Sequence, residues 1–244
     1  MAEPNSVNLE TFNSDYQEFF SEVKNSELID DSDFLENILT KEGSWFSKEN
    51  FSNDAPGQKY QYTNIGATLA AHVIEQVTGI QYEKYIVDNI FKPLNMQNSS
   101  WSKNNDNNPI FATRYLPIDI VVPDYELITK ADGGIITNTS DMGNYISEML
   151  NGIDNKGNLL SSDSYRTVFS SKKFVNAKSG IFWSENKSGN PQHSGGDPGI
   201  LTVLVINPSK NIGLFFMTNI SADEDENLIN SVKQIFQVLK NYDW

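Results

Sequence analysis

The sequence predicts an α+β fold from the order of its periodic segments. Helical periodicities dominate the first two thirds of the chain, two β-rich runs separated by a short turn follow from residue 200, and an amphipathic helix comes last. Helices followed by an antiparallel sheet and a closing helix are typical of α+β domains. At 244 residues and 27.5 kDa, the chain is long enough to bury one sizeable core.

The most regular helical pattern begins shortly after Asn64. Ile65, Leu69, Val73 and Val77 recur every four residues, which predicts a helix with an apolar stripe. Gly79 lies where a C-terminal cap is expected, because glycine adopts the left-handed conformation that ends many helices.

Two further helices are predicted from apolar faces. The first ends near Pro93, and its face consists of Tyr82, Tyr85, Ile86 and Ile90. The second follows Gly133-Gly134, and its face consists of Met142, Tyr145, Ile146 and Met149. Thr139 or Ser140 is expected to cap the start of this second helix, and Gly152 is expected just past its end.

The C-terminal part predicts a hairpin and a helix. The runs 200–206 and 212–218 are β-rich, and the segment 207–211 between them has the composition of a turn. Acidic residues at 223–226 precede the last helix, where the helix dipole favours negative charge. The buried face of this helix is predicted to be Leu228, Val232, Ile235, Phe236 and Leu239.

Composition excludes several function classes. The formal charge is -14 and the pI is about 4.5, so we expect no nucleic-acid partner, because an acidic protein repels phosphate backbones. The chain has no cysteine and only two histidines. We therefore expect no disulfide, no cysteine nucleophile, no metal site and no cofactor.

The N-terminal segment, residues 1–43, is acidic and weakly patterned. Residues 15–23 form a short candidate helix with apolar residues on one face. The chain begins without a basic region or an apolar stretch of the kind found in signal peptides, and we expect no transmembrane segment. The compartment stays unassigned.

Two short motifs contain chemically useful groups. In Tyr62-Thr63-Asn64, the phenol can exchange a proton if its pKa is lowered, and the amide can bind an amide substrate. The alternative is a turn with a buried aromatic ring. In His193-Ser194-Gly195-Gly196, the glycines allow backbone N–H groups to approach a ligand. The alternative is a glycine-rich strand entry with an exposed histidine.

From about residue 36 to the C-terminus, the order of these motifs resembles that of serine hydrolases related to class C β-lactamases and penicillin-binding proteins. The segments in question are 62–66, Val77-Thr78-Gly79, 90–96, Asp132-Gly133-Gly134-Ile135, 139–142, 193–199 and Thr218-Asn219. The resemblance implies a three-layer α+β fold of which residues 44–244 form the C-terminal portion of one domain, incomplete at its N-terminus. Full-length members of this family are often exported.

The resemblance also implies roles for individual residues. Tyr62 would transfer protons, and Asn64 would contact the substrate amide and the family's lysine. His193 would occupy the cationic position, and the Gly196 N–H would be one oxyanion donor, with Ser194 and Gly195 as substrate-binding neighbours. Because His193 replaces a lysine, the chain is more similar to D-aminopeptidases and esterase-like members, with small peptide, amide or ester substrates.

The family's nucleophile is a serine in a Ser-x-x-Lys box upstream of Tyr-x-Asn. Four matches occur, starting at Ser21, Ser100, Ser170 and Ser184. Only Ser21 precedes Tyr62. A lysine that acts as a base must lose its proton, but the acidic, polar neighbours of Ser21 would keep Lys24 protonated. The sequence therefore predicts a truncated, inactive hydrolase. Two alternatives remain open: a pseudoenzyme that binds peptides or cell-wall fragments, and an intact hydrolase that uses Ser21.

Some parts of the family fold have no counterpart in this sequence. Without them, apolar surface on the sheet and on the last helix would be uncovered. Such a patch favours association. We therefore expect either a homodimer or completion of the fold by a missing N-terminal part.

Overall fold

The computed structural model describes residues 29–101, 111–116, 120–221 and 226–241, with side chains up to residue 239. Within these ranges the helices are α1 (Asp31–Leu39), α2 (Asn64–Thr78), α3 (Tyr82–Ile86), α4 (Thr139–Ile153), α5 (Ser162–Phe169) and α6 (Glu226–Asn241). A π-helical turn, Val87–Phe91, continues α3, and 3-10 turns cover Lys48–Asn50, Lys130–Asp132 and Pro208–Lys210.

The strands form two antiparallel sheets. The small one pairs β1 (Tyr115–Leu116) with β2 (Ile120–Val121). The large one has six strands in sequential order: β3 (Lys172–Lys173), β4 (Lys178–Ser179), β5 (Ser184–Glu185), β6 (Pro191–Asp197), β7 (Ile200–Asn207) and β8 (Ile212–Thr218). The predicted α+β class and the β7–β8 hairpin are confirmed.

The large sheet lies between two helical layers. On one face, α4 and α5 bury the main core with β7: Ile146, Met149, Tyr165, Trp183, Leu204 and Ile206. On the other face, Phe216 of β8 packs edge-on against Phe236 of α6, with ring centroids 5.8 Å apart. In α6, Val232 is buried as predicted, but Ile235 is 41% exposed.

Helix α2 is confirmed, and it ends at Gly79, whose φ is 69° and whose N–H donates to the Glu75 carbonyl at 2.7 Å. The stripe that predicted the helix is nevertheless largely exposed, at Leu69, Val73 and Val77. The buried residues of α2 are the small side chains Thr68 and Ala71. This face of α2 therefore has no cover within the described part of the chain.

Both predicted ends of α4 were wrong. The cap is Asn138, which is extended and whose side chain accepts from the Asp141 N–H at 2.9 Å; Thr139 already belongs to the helix. At the other end, α4 runs to Ile153, so Gly152 lies inside the last turn. The glycine is needed there because the Tyr165 ring occupies the space a Cβ would take.

This packing predicts opposite effects for two alanine substitutions in one helix. A Cβ on Gly152 would lie 2.3 Å from Tyr165 ring carbons, whereas one on Gly143 would meet nothing within 4 Å. We expect Gly152→Ala to destabilise the fold by about 1–3 kcal/mol through overpacking. Gly143→Ala should stabilise it by about 0.5–1 kcal/mol, because alanine favours helix. Urea denaturation of both variants measures the difference, and equal midpoints would contradict the packing argument.

Two predicted features fall outside the described residues: the candidate helix at 15–23 and the acidic residues 223–225. His193 to Gly196 lie inside β6, the strand that precedes the β7–β8 hairpin. Across the described ranges, no helix is both long and apolar enough to cross a bilayer.

Candidate active site

The structure brings together the two aromatic residues of the separate motifs. The rings of Tyr62 and His193 lie with their centroids 6.2 Å apart at an interplanar angle of 53°. Tyr62 is 59% exposed, and His193 is also exposed. The pair therefore lines an open surface where a ligand could contact both rings.

Tyr62 is positioned by a loop that is fixed to a distant segment. The Asn176 side chain accepts from the Tyr60 N–H at 3.0 Å and donates to the Tyr60 carbonyl at 2.8 Å. The Tyr60 ring packs against Phe174 with centroids 6.0 Å apart. This pairing holds the chain two residues before Tyr62 and so directs it toward β6.

The β6 strand has an open edge beside Tyr62. Strand β5 pairs only with Pro191 and Gln192, whereas β7 pairs with β6 as far as Asp197. Within the described part of the chain, residues 193–197 therefore have a sheet partner on one side only. Backbone groups along their other side are available to a ligand.

Hydrogen-bond alternation shows which groups point to this edge. Asp197 and Ile200 flank a two-residue turn, and such flanking residues exchange hydrogen bonds. Pairing alternates along an antiparallel ladder, so His193 and Gly195 point their N–H groups toward β7. The Gly196 N–H points to the open edge, and its role as an oxyanion donor stays a prediction.

The remaining predicted residues take different positions. Asn64 is the first residue of α2 and is exposed. Gly195 lies opposite Thr202, on the same sheet face as His193. Ser194 faces the other way, because successive side chains alternate along a strand.

Local electrostatics keep both rings neutral at pH 7. Burial raises the pKa of Tyr62, and the charges of Asp132 and Asp197 raise it further. Although His193 is exposed as a residue, partial shielding of its imidazole from water lowers its pKa, and a hydrogen bond with the Ser194 backbone acts in the opposite direction. The neutral Tyr62 phenol can therefore donate a hydrogen bond, whereas its raised pKa does not favour the phenolate that would accept a proton.

Three of the four Ser-x-x-Lys serines lie in the described ranges, and each makes a local hydrogen bond or backbone pairing. Ser170 Oγ donates to the Arg166 carbonyl, and Ser184 Oγ donates to the Gln192 carbonyl at 3.0 Å. Ser100 joins an isolated bridge to Ile136. Ser21 lies outside the described residues. Within the described ranges, no group of three or more histidine or acidic side chains could hold a metal ion.

A cavity of about 290 Å³ lies behind His193. Its other lining residues come from α4, the segment before β5, and strands β7 and β8: Met142, Tyr145, Phe182, Trp183, Thr202, Leu204 and Phe215. Most of these side chains are apolar. The layer between α4 and the sheet is therefore only partly filled by the described residues.

A comparison of this sequence with models of known protein families identifies the family of the chain. The model described as Beta-lactamase matches residues 33–235, which is most of the chain, so the chain belongs to the β-lactamase family. The match begins inside the segment 1–43 that the sequence set apart, and the boundary between residues 43 and 44 stays a prediction.

The relatives are distant. Protein flp of Staphylococcus aureus strain MRSA252 is 26% identical over 204 residues, which cover 76% of this chain and 40% of flp. The chain thus spans about two fifths of the length of this curated relative. Two solved structures share the fold. A class C β-lactamase is 15% identical with a TM-score of 0.64, over 94% of this chain and 74% of that one.

The second solved structure that shares the fold is the D-amino acid amidase from Ochrobactrum anthropi SV3, solved with D-phenylalanine. It is 17% identical with a TM-score of 0.63, over 77% of this chain and 60% of that one. At these identities the likeness shows the fold alone. The β-lactamase and penicillin-binding-protein-like fold expected from the resemblance is confirmed.

Sequence reasoning missed three contributors to the site. Asn176 fixes the loop before Tyr62 from a segment without a recognisable motif, so no local signal could have found it. Asp132 and Asp197 were visible as parts of the matched segments, but their effect on Tyr62 depends on distance and burial.

Proposed function

We propose that this chain provides the substrate-binding and proton-transfer part of an acyl-serine hydrolase site. Its substrates would be small peptides, amides or esters, as in D-aminopeptidases and esterase-like members of the family. The observation that supports this best is the proximity of the Tyr62 and His193 rings, 6.2 Å apart, beside the open edge of β6 where the Gly196 N–H can bind an oxyanion.

The electrostatics of Tyr62 support the further proposal that the chain is inactive without another group. A tyrosine that accepts a proton needs a nearby cation to stabilise the phenolate. The groups that shift the pKa of Tyr62 all raise it. A Ser-x-x-Lys box would supply both missing groups, since its lysine would bring the positive charge and its serine the nucleophile.

The cavity behind His193 supports the proposal that an additional polypeptide segment completes the fold. Its apolar lining lies between α4 and the sheet, and the α2 stripe is also exposed. We propose that a polypeptide segment with the nucleophilic serine fills this layer. Formation of a homodimer that covers the same surfaces stays the alternative.

Covalent labelling tests the proposed inactivity. We expect the chain to give no adduct with a fluorophosphonate or a penicillin, as measured by intact mass, and no hydrolysis of p-nitrophenyl acetate above buffer. The matched variant is Ser21→Ala. An adduct or turnover that Ser21→Ala abolishes would show that the chain is an intact hydrolase and would overturn this proposal.

A non-catalytic binding module is the second candidate function, because the neutral Tyr62 is suited to donate a hydrogen bond. The DNA immediately upstream distinguishes the two. An in-frame or frameshifted Ser-x-x-Lys box there favours the hydrolase part. If it is absent, calorimetry with D-Ala-D-Ala peptides tests the binding role.

A further inference from the structure

The turn between β4 and β5 holds one residue in a backbone conformation that its side chain does not favour. Phe182 has a φ of 59°, and a bulky residue seldom adopts a positive φ because its Cβ crowds the backbone. In the described part of the chain, the other non-glycine residues with a positive φ are asparagines, which tolerate this conformation better: Asn95, Asn155 and Asn211. The backbone at Phe182 is therefore strained.

Contacts on both sides of Phe182 keep the turn in this conformation. The Gly180 N–H donates to the Trp183 carbonyl at 2.7 Å, which closes the turn. The Ile181 N–H donates to the Val168 carbonyl of α5 at 3.0 Å, which fixes the turn to the helical layer. Strained backbone that is held by its surroundings in this way is concentrated at binding sites.

The fold alone does not require a phenylalanine at this position. Glycine would allow the same turn without strain, because it adopts a positive φ freely. The neighbouring Trp183 is buried and packs against Phe169, but Phe182 is 58% exposed. Phe182 also lines the cavity behind His193. A ring that lines the cavity and is still more than half exposed lies at the mouth of that cavity.

The mouth of the cavity is where the open edge of β6 begins. Ser184 of β5 lies opposite Gln192 of β6, so Phe182, two residues before Ser184, lies about level with Ser194 along the strand. His193 lines the same cavity as Phe182. A ligand that lies along the open edge would therefore meet the Phe182 ring at the end near His193.

We infer that Phe182 determines the specificity of this site, because its ring gives an apolar contact to a substrate group next to the reacting bond. An aryl or branched alkyl group on this ring would remove apolar surface from water on both partners. A polypeptide segment inside the cavity would leave the outer part of the ring available. The inference rests on the proposed function, since it assumes that substrates bind beside Tyr62 and His193. It narrows the substrates to those with a bulky apolar group at this position.

Binding of three neutral ligands to the chain tests the inference without any turnover. The ligands are N-acetyl-D-alaninamide, N-acetyl-D-leucinamide and N-acetyl-D-phenylalaninamide, which differ only in their apolar side chains. Calorimetric titration measures the three affinities. We expect the leucine and phenylalanine ligands to bind at least about fivefold more tightly than the alanine ligand, because their larger side chains bury more apolar area.

Phe182→Gly should reduce this preference to within about twofold, because the apolar contact is lost. The variant should not have a lower urea midpoint, since glycine relieves the strain at this exposed position. Phe182→Leu retains an apolar side chain and should keep most of the preference. The control Asn211→Gly makes the same backbone change at a φ of 54° in the turn between β7 and β8, and should leave the preference unchanged.

Four results would overturn the inference and leave the proposed function standing. They are equal binding of the three ligands, a preference that survives in Phe182→Gly, a loss of the preference in Phe182→Leu, and a lower urea midpoint for Phe182→Gly. The last result would show that the ring stabilises the fold rather than waits for a ligand. If none of the ligands binds, both the inference and the proposed function fall.

Discussion

Tyr62→Phe is expected to lower kcat by about 10²–10⁴ in a form of the protein that includes the Ser-x-x-Lys segment, supplied either in the same chain or in trans. The substitution removes the hydroxyl that, under the proposed function, exchanges a proton with the serine or the leaving group. Stability should change by less than about 0.5 kcal/mol, because the side chain is 59% exposed.

Tyr60→Phe is the matched control for this experiment. Tyr60 lies two residues away, and its backbone and ring are held by Asn176 and Phe174, contacts that do not need its hydroxyl. Its kcat should stay near that of the unmodified protein. An unchanged kcat in Tyr62→Phe, with folding intact by circular dichroism, would remove Tyr62 from the mechanism.

Elements with strong local signals were predictable from the sequence. The four-residue stripe and Gly79 predicted α2, and the β-rich runs with an Asn-Pro turn predicted β7 and β8. The start of α4 was misplaced because Asn138, Thr139 and Ser140 can all cap a helix. Only the backbone conformation shows which of them does so.

Elements defined by tertiary contacts were not predictable. Strands β3 to β5 have two residues each, too short for a pattern of alternation. The pairing of Tyr62 with His193 joins distant parts of the chain, and the sequence suggested it only through resemblance. The raised pKa of Tyr62 depends first on partial burial and then on Asp132 and Asp197, whose approach no local pattern specifies.

Glu148→Ala should destabilise the fold by about 3 kcal/mol or more at pH 7, because three hydrogen-bond donors lose their acceptor. Glu148 is 3% exposed in α4. Its carboxylate accepts from the Tyr165 hydroxyl at 2.5 Å and from the N–H groups of Asn158 and Leu159 at 2.5 and 2.8 Å. Urea denaturation measures the loss, and Glu42→Gln, at an exposed position, is the control.

The same carboxylate predicts how stability depends on pH. Burial alone would raise the pKa of Glu148, but the hydrogen bonds from Tyr165, Leu159 and Asn158 outweigh it and lower the pKa below 4.5. The unfolded chain therefore takes up this proton first, so the stabilisation is complete above pH 4.5 and is lost as the pH falls through the lowered folded value. The free-energy gap between the unmodified protein and Glu148→Gln should narrow over that range. A gap that stays constant down to pH 3 would show that the pKa of Glu148 is the same in the folded and unfolded states, so that folding does not favour its charged form.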